Sequence, residues 1–170
     1  DSNRSKKFDF LTHSCFATDD SIMSLAIAKA IMSCDEDYGN LGEMAIKYMQ
    51  EVGRPYPHCG FGGMFYNWIY SDNPKPYGSY GNGSAMRVSP CGWVSEDVNE
   101  VLKIARKSAE VTHNHPEGVK GAQAVAMAIW MARTINQKTN HTPESIKKAI
   151  KNGVSEIYGY DLNRTIDDII

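Results

Sequence analysis

An all-α fold, a multi-helix bundle with glycine-rich loops, is what this sequence predicts. Three observations point to it. Apolar residues recur at helical spacing over several stretches, cap and stop residues bracket those stretches, and no alternating apolar run is long enough for a sheet.

From Asp20 to Cys34 nearly every residue is Ile, Met, Leu, Ala or Ser, so the first helix is apolar almost all round and is expected in the middle of the core. Gly39 and Asn40 break it. Leu41 to Val52 forms a second helix, stopped by Gly53 and Pro55. Phe61 to Tyr70 is aromatic-rich and suits helix or strand by propensity, but Gly60 and Asp72-Asn73-Pro74 bound it as a short helix. Ser95 to Glu110 follows, with Ser95 as the expected N-cap, Glu96 and Asp97 in the positive first turn, and Val98, Val101, Leu102, Ala105 and Ala109 on one face. Gly118 to Gln137 repeats the pattern through Ala122, Val125, Ala126, Ile129 and Ala132. Thr142 then caps a last helix with Pro143 at its first position, expected to close near Gly153.

With 170 residues, 42% hydrophobic and 22% charged, the chain reads as one domain over 1–170. Such a length buries roughly 70% of the surface its unfolded chain exposes, so stability needs no metal or disulfide, and any metal would serve chemistry. The stretches Ile22 to Met32 and Ala122 to Ala132 are too short for a bilayer and are interrupted by Ser24, Lys29 and Gln123, so no membrane span is expected. The first residues, Asp1 to Lys7, lack the apolar run of a secretory signal. A net charge of -2 with only two short basic clusters, Arg4 to Lys7 and Lys147 to Lys151, argues against a nucleic-acid partner. Cys15, Cys34, Cys59 and Cys91 are too scattered for a disulfide framework or a zinc ribbon, and are expected to be reduced, buried thiols of a cytoplasmic protein.

Three segments stand out chemically. Thr18-Asp19-Asp20 opens the most apolar helix; Asp there commonly serves as a cap, yet a hydroxyl and two carboxylates supply more oxygen than one cap needs, and hard cations such as magnesium take such ligands. Gly60-Phe61-Gly62-Gly63 and Gly78-Ser79-Tyr80-Gly81-Asn82-Gly83 are either plain turns or anion cradles, because glycine allows close backbone approach and helix starts offer unpaired N–H groups. Thr112-His113-Asn114-His115-Pro116 carries the His-x-His-Pro pattern of zinc isopeptidases, but Ala124 and Met127 stand where the serine and aspartate of that site belong. What remains is a histidine donating to an anionic ligand, or a cap before Pro116.

In combination and order, these segments resemble the ADP-ribosylglycohydrolase family. The matching stretches are Phe16 to Met23, Gly81 to Pro90 and Ser108 to Pro116, and Tyr56-Pro57-His58 leading into Gly60 to Gly63 is similar to the family's first phosphate loop. The resemblance covers nearly the whole chain and implies the all-α fold again. It further implies that Thr18, Asp19 and Asp20 are ligands to magnesium or manganese, with two ions in a complete domain. By the same resemblance Ser79, Tyr80, Gly81, Asn82 and Gly83 hold the diphosphate of ADP-ribose, Gly60, Gly62 and Gly63 help enclose it, and His113 contacts the diphosphate or adjoining ribose. Met86 and Arg87 sit in the motif as structural residues. The implied reaction is hydrolysis of a glycosidic bond at C1 of the distal ribose of ADP-ribosylated protein or a related conjugate.

Two family segments have no counterpart. The Gly-Asp-x-x-Gly start with its following glutamate is missing, so no catalytic residue is assigned. The C-terminal Asp-x-Asp-Thr/Ser segment is missing too, since Asp167-Asp168-Ile169-Ile170 does not supply it and Asp35-Glu36-Asp37 is followed by Tyr38. The chain is therefore expected to be an internal portion of the family domain, with weakened metal affinity and with apolar surface that favours an oligomer or a covering segment. The competing expectation is a non-catalytic ADP-ribose binder or a crystallin-like structural member of the same family.

Overall fold

Asp19 and Asp20 sit at the positive start of α1 (Asp19–Met32), the first element of the computed structural model, which describes residues 12–138 and 142–163. The helix buries Ile22, Met23, Ala26, Ile27 and Ala30 against α2 (Leu41–Gly53), which answers with Leu41, Ala45 and Met49. Each such Ile, Leu or Met contributes about 1.5–3 kcal/mol by leaving water. The expectation of a helix covered on every side needs correcting: Leu25 and Met32 lie exposed on the other face. Composition alone does not tell which side of an apolar helix has a neighbour.

A 3-10 turn over Tyr38–Asn40, in which Asp37 accepts from the Gly39 N–H at 3.0 Å, makes the break before α2. The aromatic segment is a helix, α3 (Gly63–Tyr70), with Phe65, Trp68 and Ile69 inward. Two short elements that the sequence pattern did not reveal follow, α4 (Gly83–Met86) and a 3-10 turn over Ser89–Trp93. Next comes α5 (Val98–Glu110), whose N-cap is Asp97, accepting from the Asn99 N–H at 2.9 Å. Ser95 is not the cap; it lies two residues earlier, where its hydroxyl accepts from the Asp97 N–H. α6 (Pro116–Lys138) starts two residues before the expected Gly118, with Pro116 at its first position.

Thr142 caps α7 (Pro143–Tyr158) as expected, accepting from the Ser145 N–H at 3.2 Å. Gly153 does not end it: the helix runs on to Gly159, whose φ of +69° provides the left-handed stop. Every regular element among the described residues is helical, confirming the all-α class. α5 and α6 pack together, α6 also carries α4, the 3-10 turn over Ser89–Trp93 and α7, and α2 joins the two halves through α5. Cys34, Cys59 and Cys91 are buried free thiols, whereas Cys15 is exposed.

Candidate functional site

α1, α3 and α4 all begin at one cavity of about 290 Å³. Asp19 lines it from α1, Gly62, Gly63, Met64 and Phe65 from the start of α3, and Tyr77, Ser79, Gly81, Asn82 and Gly83 from the following loop. Met86, Arg87 and His113 complete the wall. Residues 94 positions apart in sequence, Asp19 and His113, thus share one pocket.

Thr18 occupies the N-cap position of α1 but makes no side-chain cap; its hydroxyl donates instead to Asp20 Oδ2 at 3.1 Å. The backbone N–H of Asp19 donates to Cys59 O at 3.0 Å, which fixes the 59–60 connection beside the carboxylate. Gly60 adopts φ +113°, and a β-carbon there would lie 3.1 Å from Asp19 Oδ1, so conformation and space both call for glycine. Burial, and then the neighbouring Asp20 charge, raise the Asp19 carboxyl above the usual carboxylate range.

The second glycine loop is braced against the α5–α6 connection. Tyr77 N–H donates to Thr112 O at 3.2 Å, Gly78 N–H to Asn114 Oδ1 at 2.8 Å, and Ser84 Oγ to Gly118 O at 2.7 Å. Gly81 N–H donates to Ser79 Oγ at 3.3 Å within the loop. A β-carbon at Gly83 would lie 2.9 Å from His113 Cε1 and 3.0 Å from Nε2, so the imidazole edge rests on bare backbone.

His113 is 4% exposed, and its Nδ1 lies 2.7 Å from Thr112 Oγ1. Burial, with a smaller contribution from Arg87, pushes its pKa down to about 4, so the ring is neutral at physiological pH. Arg87 is 0% exposed and donates through Nη2 to Ser108 O at 3.1 Å and Thr112 Oγ1 at 2.7 Å, while its Nε has no acceptor. Burial lowers its pKa to about 10, which leaves it charged at neutral pH. Among the described residues no carboxylate contacts that charge, and Asp19 is the one acid lining the cavity. A buried cation at one wall and a carboxylate at another suit a ligand with an anionic portion and hydroxyl oxygens.

The cavity therefore gathers Asp19, Gly62, Gly63, Ser79, Gly81, Asn82, Gly83 and His113 from the expected set. Thr18, Asp20, Gly60 and Tyr80 lie outside its lining, Gly60 behind Asp19 and Tyr80 75% exposed with its ring 5.4 Å from that of His115. His115 takes the capping role, its Nδ1 accepting from the Glu117 N–H at 3.1 Å. Met64, Phe65 and Tyr77 were not singled out by sequence; Tyr77 stands next to the glycine loop, the nearest signal available. Arg87, expected to be structural, is buried and bonded as such a residue would be, and also faces the pocket. The Arg4 to Lys7 cluster and Asp167-Asp168-Ile169-Ile170 fall outside the described residues.

As a metal centre, Thr18, Asp19 and Asp20 match a hard cation in kind, all oxygen donors, but not in number. Among the described residues no three His, Cys, Asp or Glu side chains are arranged to hold an ion. No described helix is long and apolar enough to cross a membrane.

The chain is similar to the ADP-ribosylhydrolase ARH3 of Homo sapiens (31% identical, 76% of this chain and 39% of the relative) and of Mus musculus (30% identical, 79% and 40%). The Gallus gallus protein of that name is 32% identical over 68% of this chain and 34% of its own length. The chain thus spans about two fifths or less of the length of these curated relatives. The family model described as ADP-ribosylglycohydrolase matches residues 4–170, and the chain belongs to the ADP-ribosylglycohydrolase family.

Proposed function

We propose that this chain carries the ADP-ribose-binding part of a metal-dependent hydrolase that removes ADP-ribose from modified side chains or related conjugates. The observation that carries the reading is the convergence of Asp19, two glycine loops and His113 on one cavity. Gly62, Gly63 and the Ser79 to Gly83 loop would hold the diphosphate, with backbone N–H groups replacing water around its charge and no bulky side chain in the way. Arg87 adds a fixed positive charge behind them, and His113 donates to phosphate or ribose oxygen.

Thr18, Asp19 and Asp20 would hold magnesium or manganese. The raised Asp19 carboxyl is compatible with this: burial raises it most and the neighbouring Asp20 charge second, and a bound cation would offset both. When bound, the metal supplies Lewis-acid orientation of ribose hydroxyls and of water. In the reaction the C1 glycosidic bond breaks, water delivers hydroxyl to C1, and the leaving side chain takes a proton. No residue of this chain is assigned as the acid that delivers it.

A second reading, a non-catalytic ADP-ribose binder, draws on one contrast: most of the expected glycine-loop residues and His113 line the cavity, whereas of the expected cation ligands Asp19 alone does, and among the described residues no three His, Cys, Asp or Glu side chains are arranged to hold an ion. Calorimetric titration with ADP-ribose, once with magnesium and once with EDTA, separates the two. Magnesium-dependent binding supports the hydrolase site, binding unchanged by EDTA supports the binder, and no binding in either buffer overturns both.

A further inference from the structure

We propose that Arg87 is a positioning residue that, through the Thr112 hydroxyl, fixes His113 in the tautomer with its proton on Nε2, presenting an N–H donor to the ligand in the cavity. The argument is a count of protons and lone pairs. Arg87 Nη2 donates to Thr112 Oγ1 at 2.7 Å, and a guanidinium has no other way to bond, so the hydroxyl is an acceptor there. The hydroxyl keeps one proton to give. Two groups are within reach of it: Ala109 O at 3.4 Å and His113 Nδ1 at 2.7 Å.

Ala109 O already accepts from Thr112 N–H at 3.1 Å and His113 N–H at 2.8 Å, which occupies both its lone pairs. The hydroxyl proton therefore goes to Nδ1, at a normal O–H···N distance rather than at the limit of one. With Nδ1 accepting and the ring neutral, the remaining ring proton is on Nε2. Nε2 has no hydrogen-bond partner among the described residues, and it sits against Gly83 where His113 lines the cavity. A buried charge polarising the hydroxyl strengthens the chain of bonds. His113 set in this way donates to phosphate or ribose oxygen and does not act as a base through Nε2. The ligand half of this inference rests on the proposed function; the tautomer half does not.

Long-range proton–nitrogen correlation on the full 15N-labelled chain reads the tautomer directly, with His113→Gln to assign the signal. The expected spectrum at neutral pH shows a protonated Nε2 and an unprotonated Nδ1. Thr112→Val and Arg87→Met should each give a tautomer mixture and weaken ADP-ribose binding about tenfold, a change typical of a lost oriented hydrogen bond. Thr112→Ser, which keeps the hydroxyl, should restore both. A wild-type ring protonated on Nδ1 overturns the proposal even if the variants do not fold, as does a Thr112→Val chain with unchanged tautomer and affinity. If the wild-type tautomer is as expected but ADP-ribose does not bind, the relay stands and the proposed function fails. If ADP-ribose binds a chain whose ring carries its proton on Nδ1, the proposed function stands and the relay fails.

Discussion

On the wall built by Ser84, Arg87, Thr112, His113 and Gly118 every residue is buried, and hydrogen bonds of 2.7–3.1 Å from Ser84 and Arg87 tie it across elements, with His113 joined to it through Thr112, whereas Thr18 and Asp20 are exposed and joined by one local bond of 3.1 Å. The first wall is set by packing before any ligand arrives, which is how a site lowers the ordering cost of binding. The second, on the proposed reading, would be completed by the ion it binds. Stability experiments should therefore respond strongly to changes in the buried wall and weakly to changes in the acid one, while cation dependence should do the reverse.

The largest effect is expected for Arg87→Ala. Removing a fully buried side chain leaves a cavity and strips Thr112 and Ser108 of a donor, so chemical denaturation should show a loss of about 3–5 kcal/mol. A loss below about 1 kcal/mol would mean the wall is not packed as described. Gly118→Ala comes next. Its β-carbon would lie 2.5 Å from Ser79 O, which is backbone and cannot step aside, so about 1–3 kcal/mol should be lost. Gly81→Ala meets only Ser79 Oγ, at 3.6 Å, and serves as the paired control expected to cost far less.

Acid separates the walls by sign. His113 takes its proton near pH 4 in the folded chain, against about 6.5 when unfolded, so between those values the unfolded state holds more protons. Stability from this residue is complete above pH 6.5 and is lost as pH falls toward 4, on the order of 2 kcal/mol after allowing for screening. Asp19 works the other way: its raised folded pKa means the folded state holds more protons just above the ordinary carboxylate range, so falling pH there favours folding. Ring resonances of His113 that titrate near 6.5 would contradict its burial.

Helix identity was legible wherever apolar spacing and caps agreed, as in α2, α5 and the start of α7. It was less legible at ends, where two hydroxyl or acid residues compete for one cap. Ser95 and Asp97 both fit the pattern, and backbone conformation decided for Asp97. Gly153 looked like a stop because glycine usually is one, but it sits inside α7, packed close to Met131 of α6, a tertiary contact that local sequence does not show. The glycine loops, Asp19 and His113 were legible as a set through the resemblance to the family, because each segment alone also fits a plain turn or a helix cap. Arg87 was ambiguous, since a buried arginine that braces a loop and one that faces a ligand look alike until its partners are known. Phe65 carries no local signature beyond being aromatic, and Tyr77 none beyond its place next to the glycine loop.

The smallest stability change belongs to the acid wall and is the most informative about it. Asp20 is exposed and its hydrogen bond with Thr18 is local, so Asp20→Ala in EDTA should alter stability by no more than about 0.5 kcal/mol, with relief of the Asp19 repulsion offsetting any loss of favourable charge at the helix start. Asp19→Ala should also fold. Magnesium is where the variants and the parent part ways. A cation bound only by the folded chain raises its stability by about 2.7 kcal/mol at a hundredfold excess over the dissociation constant. The parent should gain thermal stability with rising magnesium, and either substitution should abolish that gain while leaving the EDTA midpoint in place. If either substitution unfolds the chain in EDTA, the carboxylates hold up the start of α1 and are not reserved for a cation. If the midpoint of the parent ignores magnesium, the two walls differ in packing alone, and the case for an ion at Asp19 and Asp20 falls with it.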